Sequence, residues 1–171
     1  MSIKIDWKGK KAFEATSSTG HKVMMDASKE VGGEDRGSRT MELLLMGLGG
    51  CSGIDVMMML EKGKQDVKDC QMEVTSERAD AVPAVYTKIH LHFKVTGKDL
   101  NEKKVARAVE LSADKYCSVS KMLEKTAEIS GLAATSDNDG SVHILFGTKD
   151  SVRIAEYEKG ICSAKSISTF G

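Results

Sequence analysis

The hydrophobic pattern is broken by one long apolar block, Met41–Leu60, in which the twelve residues from Leu43 to Ile54 carry no charge. At about 1.5 Å per residue this block makes a helix roughly 30 Å long. A helix apolar nearly all round predicts burial on all sides. A membrane span is the competing reading, opposed by Glu42, Asp55 and four glycines within a window barely long enough to cross. Elsewhere the period is two. Ile3, Ile5 and Trp7 share one face, and so do His21, Val23 and Met25, which predicts an antiparallel meander at the start of the chain. Cys70, Met72 and Val74 share a face of a strand over Val67–Ser76. Val85–Val95 alternates most clearly, with Ile89, Leu91 and Phe93 on one face and His90 and His92 on the other.

Between the meander and the long helix, Ala27–Arg39 is polar and glycine-bearing and reads as a mobile loop, with Ser38 or Thr40 available to cap the helix. Asp99-x-x-Glu102 resembles a capping box and opens a second helix, broken at Lys115-Tyr116-Cys117. Ser118–Lys125 predicts a short third helix, which sets Cys117 at a helix N-terminus, where thiol pKa values fall. A strand over Lys125–Leu132 follows. Asp137–Gly140 is a turn signal, with a hairpin after it carrying Val142, Ile144 and Phe146, then Val152 and Ile154. Gly160–Gly171 reads as a tail.

Composition narrows the chemistry. Twenty-five basic residues balance twenty-five acidic ones in 171 residues, which argues against a nucleic-acid partner. Cys51, Cys70, Cys117 and Cys162 are widely spaced without a Cys-x-x-Cys, so neither a zinc ribbon nor a thioredoxin motif is present. No secretory signal is visible, and a reducing cytoplasm with free or catalytic thiols is the expectation. Cys51 lies among Gly49, Gly50 and Gly53, which leave bare backbone beside the thiol. It reads either as a small buried hydrophobe or as a thiol that a substrate can approach. Cys117 reads either as a half-buried structural cysteine or as a reactive one. The His90-x-His92 pair has no evident third ligand, its neighbours are lysines, and it reads as a solvated strand face.

Two motifs taken together carry a resemblance. Met41-Glu42-Leu43-Leu44-Leu45 running to Leu48-Gly49-Gly50-Cys51, followed after a hairpin by Lys115-Tyr116-Cys117-Ser118-Val119-Ser120-Lys121, resembles the OsmC/Ohr family, and its OsmC-like branch most. The resemblance covers residues 1–133 and leaves 134–171 as a C-terminal extension, a hairpin plus a tail. It implies an α+β fold with antiparallel sheets wrapped around long central helices in an intertwined homodimer. It also implies a thiol-dependent peroxidase that reduces organic hydroperoxides, with Cys51 peroxidatic and Cys117 resolving. The implied regenerant is an external dithiol such as dihydrolipoamide on a lipoyl protein. No bound cofactor, metal, nucleic acid or membrane is implied. In the family an arginine held by a glutamate supports the thiolate. Here that glutamate's position, ten before the cysteine, is Met41; the available residues are Glu42, Arg36 and Arg39. On a continuous helix Glu42 stands about 2.5 turns, roughly 13 Å, from Cys51, so it needs an arginine relay or a partner subunit to act there. Two rival readings remain: a binding protein for an apolar small molecule at the dimer interface, and a redox switch built on the two cysteines.

Overall fold

The computed structural model describes residues 1–136 in full, together with the backbone of Val142–Thr148, Ser151–Glu158 and Ile161–Ser163. The turn read at Asp137–Gly140 and the chain after Ser163 lie outside the described residues. The chain divides into two units, Met1–Gly47 and Leu48–Gly171.

The first unit opens with three short antiparallel strands, β1 (Lys4–Trp7), β2 (Phe13–Thr16) and β3 (Lys22–Met25). Register places Ile5 opposite Ala15 and Ala15 opposite Val23, with Trp7 opposite Phe13 and Phe13 opposite Met25. The predicted apolar face therefore forms, but Ile5, Trp7, Phe13 and Val23 remain exposed on it. The segment read as a mobile loop contains a 3-10 turn, Lys29–Val31, and is closely hydrogen-bonded around Asp26. That buried carboxylate accepts backbone N–H bonds from Ala27, Glu34 and Arg36 at 2.8, 2.9 and 3.1 Å. Burial works against its charge, yet these N–H donors hold its pKa below the ordinary carboxylate value.

Helix α1 (Thr40–Lys62) begins in the first unit, and its remaining turns belong to the second. At its start the Glu42 carboxylate accepts from the Arg39 backbone N–H at 2.9 Å, the returning half of a capping box. Burial on all sides does not hold within one chain. Leu48, Ser52, Val56 and Leu60, spaced by four, form one buried stripe, while Leu44, Met46, Ile54 and Met58 are exposed. Gly49 and Gly53 let Met72 approach the helix: a β-carbon added at either would stand 3.3 or 3.4 Å from its methyl group.

The second unit is built on a six-stranded sheet in sequence order, β4 (Asp66–Arg78), β5 (Tyr86–Lys98), β6 (Glu128–Ser136), β7 (Val142–Thr148), β8 (Ser151–Glu158) and β9 (Ile161–Ser163). All neighbours are antiparallel except β5 and β6, a parallel pair not expected from the sequence. A parallel pair needs a long crossover. It is supplied by α2 (Glu102–Leu111), a π-helical turn (Ser112–Tyr116) and α3 (Ser118–Leu123). The hairpin read after the turn signal is β7 and β8.

The alternation of β5 holds: Ile89, Leu91, Phe93 and Val95 are buried at 1% exposure or less and join Val105, Ala108 and Val109 of α2 in the core. At its start a register shift between Glu77 and Arg78 reverses the pattern, so Tyr86 is buried and Val85 exposed. Asp99 does not cap α2. It takes a positive φ of 50°, and the Asn101 side chain accepts from Lys104 N–H instead.

Candidate functional site

Cys51 and Asp55 are four residues apart on α1 and therefore lie on the same helix face. Cys117 is brought to them by the crossover. Its N–H donates to Ser112 O at 2.9 Å, closing the π-turn, and its backbone is extended, which makes it the N-cap of α3. A cysteine here does what serine or aspartate does at other helix starts: its sulfur accepts from the Ser120 N–H at 3.4 Å. The buried Ser112 hydroxyl donates to the Ser52 carbonyl oxygen at 3.3 Å, tying the π-turn to α1. The result is a cluster in which the Cys51 and Cys117 sulfurs and a carboxylate oxygen of Asp55 all lie within 4.8 Å of one another.

The two thiols differ. Cys51 is part-exposed and Cys117 is fully buried. Burial and the neighbouring Cys117 sulfur push the Cys51 thiol up, opposed by the backbone N–H groups of Val119 and Ser118. Burial also acts to raise Cys117, but hydrogen bonds from Cys51, Ser52 and Ser120 outweigh it and bring its pKa below that of a free thiol. The Ser52 and Ser120 hydroxyls are buried and have no hydrogen-bond partner among the described residues. A thiolate at Cys117 is the acceptor they lack. Of the two thiols, Cys117 is therefore the one whose ionised form its surroundings favour. The thiolate signal in the far ultraviolet should accordingly persist to lower pH than for free cysteine. Cys117→Ser should remove that early titration and leave the Cys51 thiol ionising at or above the ordinary value. A titration lost in Cys51→Ser but kept in Cys117→Ser would contradict this.

The other sequence-selected residues have partners of their own in the first unit. Arg39 pairs with Asp35 and donates to the Asp26 and Gly37 carbonyl oxygens at 3.3 and 3.4 Å. Arg36 donates to Lys8 O at 2.9 Å. Glu42 is engaged in capping α1 through the Arg39 N–H. Asp55 was not foreseen as a site residue. Its signal was the Cys-x-x-x-Asp spacing inside an otherwise uncharged stretch. Beside the cysteine face, Gly50, Gly53, Ile54, Met57, Met58 and Met72 are among the residues lining an open groove of about 630 Å³. Cys51 is not among the residues lining this groove, although Gly49, Gly50 and Gly53 are. His90 shares a 2.8 Å hydrogen bond with the Ser130 hydroxyl and is part-buried, so the histidine face is less solvated than expected.

An α+β fold whose long helix α1 carries one thiol beside a second from the crossover is that of the OsmC/Ohr class. The comparisons place it within that class: the family model described as OsmC-like protein matches residues 32–130, and the chain belongs to this family. Protein YhfA of Escherichia coli strain K12 is 47% identical over 129 residues, 75% of this chain and 93% of that protein. A hypothetical protein from Aquifex aeolicus VF5 is 28% identical with a TM-score of 0.70, covering 80% of this chain and 96% of that one. An organic hydroperoxide resistance protein, OsmC, from Legionella pneumophila shares the fold at 18% identity and a TM-score of 0.60, over 79% of this chain and 95% of that one.

Proposed function

We propose that this protein is a cytoplasmic, homodimeric, thiol-dependent peroxidase that reduces organic hydroperoxides through a sulfenate on Cys51 resolved by Cys117. The observation that carries the reading is the approach of the two sulfurs to within 4.8 Å, one part-exposed and the other buried. Access decides which one attacks. A hydroperoxide can reach Cys51, whereas Cys117 has no exposed surface. Moving the shared proton from Cys51 to Cys117 costs only about 1.4 kcal/mol per unit of pKa difference.

The steps then balance. Cys117–S⁻ takes the Cys51 proton. Cys51–S⁻ attacks the peroxide oxygen, the O–O bond breaks, and the alkoxide leaves as alcohol with the proton returned by Cys117. The Cys117 thiolate attacks the Cys51 sulfenic acid, the S–S bond forms, and hydroxide departs and is protonated to water. The N–H groups of Ser118 and Val119 favour the Cys51 thiolate while it exists. An external dithiol, such as a lipoyl group, reduces the disulfide by thiol exchange. Arg36 or Arg39 supplies the family's guanidinium in this reading.

The test is consumption of cumene hydroperoxide and of hydrogen peroxide by the reduced protein with dihydrolipoamide as reductant. Turnover should favour the organic substrate. Loss of turnover in Arg36→Ala or Arg39→Ala would assign the cation; no turnover by the wild type would remove the peroxidase reading. A second reading, binding of an apolar small molecule, is favoured by the methionine-rich groove.

A further inference from the structure

The carboxylate of Asp55 has no place in the thiol chemistry above, yet it is held beside it. Its Oδ2 atom is buried and has no hydrogen-bond partner among the described residues. Leaving such an oxygen unpaired is costly, because its lost hydration is not replaced. The residues able to hold a metal ion among those described are the same three: Cys51, Asp55 and Cys117. We infer that the reduced protein binds one thiophilic divalent cation of the zinc class through the Cys51 and Cys117 sulfurs and an Asp55 carboxylate oxygen.

Ligand geometry supports this. Zinc–sulfur bonds near 2.3 Å and zinc–oxygen bonds near 2.1 Å in a tetrahedron set the donor atoms about 3.6–3.8 Å apart. The observed separations, all within 4.8 Å, need a contraction of no more than about 1.2 Å to reach the spacing such bond lengths set. Two thiolates select a soft or borderline ion over magnesium or calcium, which take oxygen ligands. Three protein ligands leave a fourth position for water or another small ligand.

Donors that orient and charge-stabilise thiolate ligands are also in place. The Ser120 N–H reaches the Cys117 sulfur at 3.4 Å, and the Ser52 and Ser120 hydroxyls are buried without partners beside it. Binding releases the thiol protons still present, and the cation neutralises two of the three negative charges brought together. The disulfide and the metal complex exclude each other, because the disulfide leaves no thiolate to bind. Bound zinc would shield both sulfurs from peroxide.

The experiment uses the reduced full-length protein, stripped of metal under argon and titrated with zinc against a chromophoric chelator. One equivalent per chain is expected, together with protection of Cys51 and Cys117 from alkylation. Cys51→Ser should weaken zinc by at least about 100-fold, and the isosteric Asp55→Asn by about 10- to 100-fold. Cobalt(II) at the same site should give visible bands of a tetrahedral thiolate complex, lost in Cys51→Ser and shifted in Asp55→Asn. Absence of stoichiometric binding, protection of Cys70 in place of the pair, or an affinity unchanged in Asp55→Asn would overturn the inference. No peroxide enters these measurements, so failure here is distinct from failure of the peroxidase reading.

Discussion

Cys51→Ser is expected to abolish organic hydroperoxide consumption, a loss of at least about 1,000-fold, while Cys117→Ser should still permit a single attack. The difference follows from position. Cys51 is the part-exposed member of the pair on α1; Cys117 is fully buried at the start of α3. A serine hydroxyl at its ordinary pKa is a poor nucleophile towards peroxide oxygen, and the remaining Cys117 thiolate cannot be reached by a bulky substrate. In Cys117→Ser two things change together. The resolving sulfur is gone, and so is the base that takes the Cys51 proton, so the attack should be slower and its sulfenic acid should persist. With excess peroxide that acid should climb to the irreversible sulfinic form. Mass spectrometry after one equivalent of cumene hydroperoxide reads both outcomes. Rapid sulfenate formation on Cys117 in the Cys51→Ser protein would reverse the roles, giving the thiolate character of Cys117 precedence over access. No oxidation of Cys51 in either the wild type or Cys117→Ser would leave the apolar groove as the better account.

What the amino-acid pattern made legible was local. The uncharged run from Leu43 to Ile54 specified α1, and strict alternation specified the buried face of β5. The serines after Cys117 marked a helix start, though not that the cysteine itself would cap it. What escaped depends on contacts distant in sequence or on backbone geometry without a composition signature. The parallel pairing of β5 with β6 is one case, since β6 carries no alternation that distinguishes a parallel from an antiparallel neighbour. The π-turn Ser112–Tyr116 is another: Ser-Ala-Asp-Lys-Tyr is ordinary helical composition, and its wide turn is fixed by the Cys117 N–H reaching Ser112 O. Asp99 looked like a cap by spacing and type, and lost to Asn101, which is one position before the helix where its side chain can reach Lys104 N–H. Asp55 was visible only as a charge interrupting an apolar helix; its meaning needed Cys117 beside it.

Ile54→Asp is expected to convert a stable dimer into a dissociated or unfolded chain. The argument starts from the mismatch between the composition of α1 and its burial. The helix is apolar almost all round, yet one chain buries only Gly49 and the stripe Leu48, Ser52, Val56 and Leu60. Ile54 is 64% exposed and Met58 49% exposed on its outer side. Fully burying side chains of this size is worth about 1.5–3 kcal/mol each, so several of them supply a substantial driving force for association. The proposed occupant of this face is a second copy of the same chain, in which symmetry would set the same apolar residues against each other. An aspartate at the centre of such an interface leaves a buried, unpaired charge, repeated by the two-fold axis. On a monomer the same change at an exposed site would move stability by about 0.5 kcal/mol or less. Light scattering coupled to size exclusion separates the cases: the wild type should run as a dimer at micromolar concentration, and Ile54→Asp should lose it. A folded wild-type monomer, or an Ile54→Asp dimer of unchanged stability, would show that this helix face is covered by something other than its copy.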